Sequence, residues 1–522
     1  MIGGALSSAA YSQEKVVNHP DFGYILGSDP WLTSENASGL YRLQPDNVSY
    51  AELSFTKDNG KFINYFQSGN SYTYGAKAES FYRLSPRTVV YGKVSYDNFE
   101  GKNMGGSSFI DPYYNPFNIV AESDETAGDK QMERYHLVGA LSVDVYKGLN
   151  LGGKIDYTAA NYAKFRDLRH KNKLTDLSLT VGASYPLNRT VELGLNYYYR
   201  RTVEGIEFAT YGNRDVQYYS LIDFGAFFGR REVFGDTGYT QSQDDKPVFN
   251  QFHGVSAQIQ FNFSPGIKLF NEFTYRSRDG YFGKQAPRSI VYTEHNGTVY
   301  RYRGVLSIRT TKNLHTVELS AGKEKLDNNE NIYNSEDPNS DVVYYGANRV
   351  LDQNRINAEL TYTANLNVSG YVPQWVLKSG VNYYQQNRAA SLFPYYRKQT
   401  INTVSLNLQA NRNIFASGNQ IYKVQLGGAF GTGSGTEKND GLYTGEPGGS
   451  TPVVLDNYLH REYEYFTSPR FELTTGFGYQ RPVNNNVSVY GNIQYQVTKG
   501  FNIVYLSGSM YHSIGIKLGC YF

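Results

Sequence analysis

Nowhere in this chain of 522 residues is there a run of the eighteen or so apolar residues that marks a membrane-spanning helix. A helical membrane protein is thereby excluded. Cysteine is nearly absent: the single Cys520 excludes an internal disulfide and a cysteine-rich metal site. It lies too far from the N-terminus for lipoprotein anchoring. Charge of one sign is also lacking. Lys and Arg number 50 against 48 Asp and Glu, and the net charge of +2 favours neither nucleic acid nor a polybasic membrane anchor. No stretch shows a convincing helical period of 3.6. Nucleotide motifs are missing too: "GTGSGT" at 431–436 lacks the strand-to-helix context and the Gly-Lys-Ser/Thr ending of a phosphate loop, and "DFG" at 223–225 has no companion kinase motif.

What the chain has instead is tyrosine, 49 residues of it, and a period of two. "LSLTVGASY" puts Leu177, Leu179, Val181, Ala183 and Tyr185 on one face, with Ser, Thr and Gly on the other. "VSAQIQFNF" sets Val255, Ala257, Ile259, Phe261 and Phe263 against Ser256, Gln258, Gln260 and Asn262. Successive strand residues point to opposite faces, so each segment has a greasy side and a wet side. A mean hydropathy of −0.52 fits a transmembrane β-barrel, in which only alternate residues meet lipid.

Many of these runs last roughly ten residues or more, the length a tilted membrane strand needs. Turn residues recur at 85–86, 147–148, 186–188, 264–266, 311–312, 365–366 and 481–482. Long polar excursions separate them at 98–131, 203–248, 280–296, 325–347 and 432–466. This spacing predicts an all-β, up-and-down antiparallel barrel of about 16–18 strands over residues 48–522, with periplasmic turns and extracellular loops in a bacterial outer membrane. Near the front, residues 48–67 read as one bulged strand or as a hairpin through Lys57-Asp58-Asn59-Gly60. Residues 1–47 are too few for a separate plug domain. They read as a periplasmic tail or a small lumen hatch, and residues 1–12 as a signal remnant or a flexible mature end, with Ala10-Tyr11-Ser12 resembling a cleavage site.

The last strand alternates to its end: Ile514, Ile516, Leu518, Cys520 and Phe522 share one face. A terminal aromatic behind such a row resembles the signal read by the outer-membrane barrel assembly machinery, with Ile514, Ile516, Leu518 and Phe522 as its residues. "SENASGL" at 34–40, "YGKVSYDN" at 91–98, "NPFNIVAES" at 115–123 and "DYTAANYAKFRDLRHKN" at 156–172 are similar to an outer-membrane β-barrel family of Bacteroidota-type bacteria without an assigned activity. "ENASGL" also resembles the Asn-Pro-Ala hatch of the fatty-acid channel family, with the proline missing. Neither resemblance supplies catalytic residues.

The expected function is that of a channel or transporter moving a small solute, passively or with a partner. The alternative is a non-transporting scaffold that presents loops to a surface lipoprotein or a TonB-dependent receptor. An enzyme is not expected, because no Ser or Asp is placed by spacing beside His136, His253, His295, His315 or His460. No cofactor or metal is expected, the oxygen-rich stretch 327–341 lacking the glycine and terminal glutamate of a calcium loop. Lumen or constriction candidates are Phe224, Phe227, Phe228, Arg230 and Arg231 in the aromatic excursion, and Glu192, Arg200, Lys378 and Glu472 on wet strand faces. The excursion either tucks inward as a constriction or stands outward against a partner.

Overall fold

The structure, a computed structural model, describes residues 21–45, 47–212, 216–235, 238–242, 244–334, 340–484 and 486–522, with the side chain of Ser417 left aside. Residues 1–12, and the part of the calcium-loop reading that falls on 335–339, lie outside the described residues.

In chain order the strands are β1 (Asn47–Gly60), β2 (Asn70–Ser85), β3 (Thr88–Met104), β4 (Asn118–Ala121), β5 (Gly128–Tyr146), β6 (Leu149–Lys164), β7 (Arg169–Pro186), β8 (Val191–Ala209), β9 (Tyr219–Asp223), β10 (Phe228–Val233) and β11 (Lys246–Ser264). The second half adds β12 (Ile267–Gly283), β13 (Val291–Arg309), β14 (Leu314–Asn334), β15 (Val343–Leu366), β16 (Trp375–Leu392), β17 (Tyr395–Phe415), β18 (Ile421–Leu442), β19 (Val453–Val454), β20 (Arg470–Pro482), β21 (Ser488–Gly500) and β22 (Met510–Tyr521). Eighteen of them form one antiparallel sheet. It closes because β1 pairs with β22, setting Leu53 beside Leu518 and Phe55 beside Ile516. The N–H of Phe522 extends this seam by donating to the Ser49 carbonyl at 3.1 Å. The smaller sheet, in the order β19-β10-β9-β4, is built from three of the connections.

The solvent of the outer face follows from which residues it exposes. Leu53, Leu195 and Leu518 are each at least 60% exposed, whereas the inward Gln258 and Gln260 are at most 2% exposed. A barrel that displays leucine and hides glutamine is built for lipid outside and a polar interior. Its strands run from 12 to 24 residues, enough to cross the hydrocarbon core and, for the longest, to rise beyond it. The protein is a bacterial outer-membrane β-barrel.

The sequence-read turns all lie at one end. That end holds one more, at 416–420, where Gly418 and Asn419 adopt the left-handed conformation. At the other end the connections are not uniformly long, since 165–168 and 393–394 are tight. Lys57–Gly60 make no hairpin: β1 runs on to Gly60, and 61–69 form the connection. With the short turns periplasmic, single cysteines at Gly445 or Gly448, in a Cys520→Ser background, should be labelled on intact cells by an impermeant maleimide. A cysteine at Arg87 should not be labelled, and the opposite pattern would invert the orientation.

Candidate functional site

An 18-stranded barrel is too wide for its wall side chains alone to fill. Two inserts occupy this lumen. The first is the N-terminal segment, which enters at the short-turn end as a hatch. Its helix α1 (Phe22–Ser28) is capped by Asp21, whose Oδ1 accepts from the Tyr24 N–H at 2.9 Å. Asp29 and Asn36 cap the two 3₁₀ turns that follow, Pro30–Thr33 and Ala37–Arg42. Phe22, Ile25, Leu32, Leu40 and Leu43 pack on Val48, Phe81 and Val89 of the first strands. Trp31 is buried against Phe270, ring centroids 5.2 Å apart, and Val305.

The hatch lies directly on the backbone of three adjacent strands. A Cβ on Gly152 would strike the Ser38 main chain, one on Gly182 the Asn36 side chain, and one on Gly194 the Trp31 ring at 2.7 Å. Only glycine allows that approach. Polar fastenings follow the same wall: Asn36 Nδ2 donates to the Ala183 carbonyl at 2.9 Å and to Gln258 Oε1 at 3.0 Å. Ser142 Oγ donates to the Ser38 carbonyl at 2.8 Å. Arg276 pairs with Glu35 at 2.6 Å, and Glu192 pairs with Arg42.

The second insert fills the long-loop end as a cap. Connections 105–127, 210–245 and 443–469 supply the four-stranded sheet, together with helix α2 (Asp456–Thr467). Phe224, Phe227 and Phe228 are each at most 2% exposed. They sit in two apolar clusters with Phe109, Phe117, Ile222, Tyr239 and Phe282 on one side and with Tyr65, Leu221, Tyr458 and Leu459 on the other. Asp223 forms their turn, its Oδ1 accepting from the N–H groups of Gly225 (2.8 Å) and Phe228 (3.2 Å). The cap is bolted to the wall by charge. Arg388 of β16 pairs with Glu462 of α2, and Arg397 of β17, 1% exposed, donates to Asp440 at 2.7 and 2.8 Å, to Asp456 at 2.9 Å and to the Ala226 carbonyl at 3.2 Å. Arg230 pairs with Glu330 at 2.8 Å, and Arg231 with Glu122 at 2.7 Å.

Burial pushes the Asp223 carboxyl up to about 6, against the Arg388 guanidinium and the two N–H donors that favour its anion. Its affinity for a proton is thus greater in the docked cap than in the open one. Docking should be strongest near pH 4 and weaken as pH rises through about 6, by about 2–3 kcal/mol at most. Amide exchange in 219–233 should therefore slow between pH 7.5 and pH 5 after correction for intrinsic rates, and Asp223→Asn should flatten the profile. Faster corrected exchange on acidification would reverse the assignment.

Between the hatch and the far wall lies a chamber of about 690 Å³ at the short-turn end, lined by Lys378, Lys423, Lys517, Glu359, Asn411 and Gln425 among others. Lys423 stands 3.8 Å from Asp21, and Lys517 3.2 Å from Glu52. The sequence-read candidates are thus dispersed. Phe224, Phe227, Phe228, Arg230 and Arg231 share the cap; Glu192 holds the hatch; Lys378 faces the chamber. Arg200 binds Asp176 through two hydrogen bonds of 2.8 and 2.6 Å at mid-barrel. Glu472 stands on β20 beside Ala429, apart from the others. Arg388, Arg397, Glu462 and the hatch contacts are additions. Their only sequence signals were arginines on the wet face of a strand and the Ser-Glu-Asn-Ala-Ser run.

The histidines have partners of mixed kinds. His136 Nε2 lies 2.8 Å from Asp156, a juxtaposition that residue spacing did not reveal, and His460 Nδ1 lies 2.7 Å from Glu437. His253 and His315 bond Tyr197 and Tyr362, and His295 bonds Asn250. Among the described residues no three His, Cys, Asp or Glu side chains are grouped to hold a metal ion.

A family model described as "Family of unknown function (DUF6850)" matches residues 37–522. No curated protein matches the sequence. Among solved structures, the ferric preacinetobactin receptor BauA from Acinetobacter baumannii is 6% identical over 91% of this chain and 80% of that one, with a TM-score of 0.40. The outer membrane transporter YddB from Escherichia coli is 8% identical over 90% and 80%, with a TM-score of 0.41. The siderophore receptor PiuA from A. baumannii is 8% identical over 90% and 82%, with a TM-score of 0.39. Similarity at this level identifies neither substrate nor partner.

Proposed function

Because the chain belongs to that family of unknown function, we propose its role from the lumen itself: a channel for a small polar solute, closed at rest and gated by the cap and the hatch. The observation that carries this reading is the chamber of about 690 Å³ beside the hatch, where Lys378, Lys423, Lys517, Glu318 and Glu359 stand among apolar side chains. A barrel that served only as a rigid post would gain stability by packing that space. The hatch is fastened mainly to the wall of β5–β8 and touches the opposite side at few points, the Asp21 N–H on the Tyr371 carbonyl at 3.3 Å and Lys423 at 3.8 Å from Asp21, so solute would pass along β15–β22. Carboxamides and ammonium groups on that path favour a polar cargo over the fatty acids suggested by the weaker sequence likeness.

The scaffold reading has one observation in its favour. The cap is held by buried ion pairs, and a rigid extracellular surface suits the binding of a surface lipoprotein or a TonB-dependent receptor. Conductance separates the two. Purified protein in a planar bilayer should show brief, infrequent openings as a gated channel, and none under any voltage as a scaffold.

A further inference from the structure

We infer that a strip of arginines at mid-barrel is a binding site for a small oxyanion, a carboxylate or a phosphate, and that the tip of the 105–127 connection occupies it as a stand-in ligand. The tip is "DPYYN", Asp111–Asn115, bent back by Asp111, whose Oδ1 accepts from the Tyr113 N–H at 2.8 Å. It reaches down to inward residues of β8, β12 and β15. There Arg278 donates to the Tyr114 carbonyl at 2.8 Å and Arg355 to the Tyr113 carbonyl at 2.7 Å. The Tyr114 ring lies under two guanidinium groups, Arg278 at 4.8 Å and Arg200 at 5.4 Å, and Phe252 lies at 5.5 and 5.4 Å from the same pair.

The charges of this strip are poorly matched within the protein. Arg200 has Asp176 to itself, but Arg278 and Arg355 share the one carboxylate of Glu324, at 3.6 and 3.7 Å. These are distances of attraction, too long for a hydrogen bond. Arg278 is only 2% exposed, and its short bonds go to neutral acceptors, the Asn250 side chain and the Tyr114 carbonyl. Beside it, the Nε of the buried Arg276 and the Nε of Arg355 have no partner among the described residues. Guanidinium forks bind oxyanions through paired, charge-assisted bonds that are roughly twice as strong as those to neutral acceptors. The two main-chain carbonyls therefore hold the place where the oxygens of a carboxylate or phosphate would bind more strongly. Phe252 and Tyr198 stack on the guanidinium groups, and two arginines sharing one carboxylate leave a single positive charge to be matched, so the ligand is a small oxyanion that fits between these rings and the strip.

The site gives the proposed channel its solute class and rests on that reading for its purpose, but its test is an equilibrium measurement that needs no flux. Succinate and inorganic phosphate, titrated calorimetrically into the purified full-length barrel, should bind weakly, because the tip competes. If the tip is docked in nine molecules of ten, loosening it by the double substitution Tyr113→Gly/Tyr114→Gly should tighten binding about tenfold. Adding Arg278→Gln, or Arg355→Gln where the first variant fails to fold by heat-modified gel mobility, should cancel the gain. The stronger of the two probes identifies carboxylate or phosphate as the group recognised. No tightening in a folded tip variant, or tightening that survives the loss of either arginine, would overturn the site. Conductance of the wild type decides the channel reading separately.

Discussion

Replacing Tyr219–Val233 by a short Gly/Ser linker should raise single-channel conductance several-fold while the barrel stays folded. This segment carries Phe224, Phe227 and Phe228, which fill the centre of the long-loop end, and β9 and β10, on which the strands from the other two connections align. Without it, β4 loses β9 and β19 loses β10, and Arg388 and Glu462 are opened to water. The wall keeps every ladder bond, since the eighteen-stranded sheet includes neither β9 nor β10. Heat-modified gel mobility reports the fold, and planar-bilayer recording reports the opening. Unchanged conductance from a folded barrel would mean that the passage is closed elsewhere. If such a variant instead lost a protein that co-purifies with the wild type, the scaffold reading would stand in its place.

Ile516→Arg should abolish or severely reduce surface assembly, whereas Gly515→Ser should be nearly silent. The two positions are neighbours on β22 and face opposite media. Ile516 points to lipid beside Phe55 of β1 and Ile493 of β21, at the seam where the barrel closes. An arginine near the bilayer midplane costs about 2–4 kcal/mol, and here the cost falls on the last pairing to form. A Cβ on Gly515 would meet nothing closer than Thr56 Oγ1 at 4.0 Å, on the wet side. Surface biotinylation and gel mobility give the comparison. Removing Phe522 should slow assembly without this large loss, because one seam bond, to Ser49, goes with it. Equal surface levels for Ile516→Arg and Gly515→Ser would contradict the assignment of faces.

The wall was readable because lipid imposes a rule on every second residue, and Leu177 to Tyr185 could obey it only as a strand. The lumen obeys no such rule. Helix α2 leaves no apolar period in the sequence because two of its four buried residues are Glu462 and Glu464. One pairs with Arg388, and the other accepts from the N–H groups of Val504, Tyr505 and Leu506. A helix that buries carboxylates against a charged wall has no apolar stripe to find. The cap strands are silent for a related reason: at four to six residues, β4, β9 and β10 are too short for alternation to stand out from a loop. The aromatic excursion is legible as apolar, but its inward placement is decided by Arg397 and Arg388, which reach it from the wall. The hatch left one legible mark, the Ser-Glu-Asn-Ala-Ser run, in which Asn36 and Ser38 now have assigned bonds.

The origin of the cap strands sets a timetable for the barrel's birth. The cap sheet joins β4, β9, β10 and β19, which lie between residues 118 and 454, so its last edge, Phe228 beside Val454, waits until β18 has emerged. Contacts this distant in sequence form late. The seam joins residues farther apart still, Leu53 beside Leu518, so a barrel stalled there has a wall that is not yet closed. Cells carrying a stalled seam variant should then be sensitised to large antibiotics, a cost that falls on the host and not on the protein.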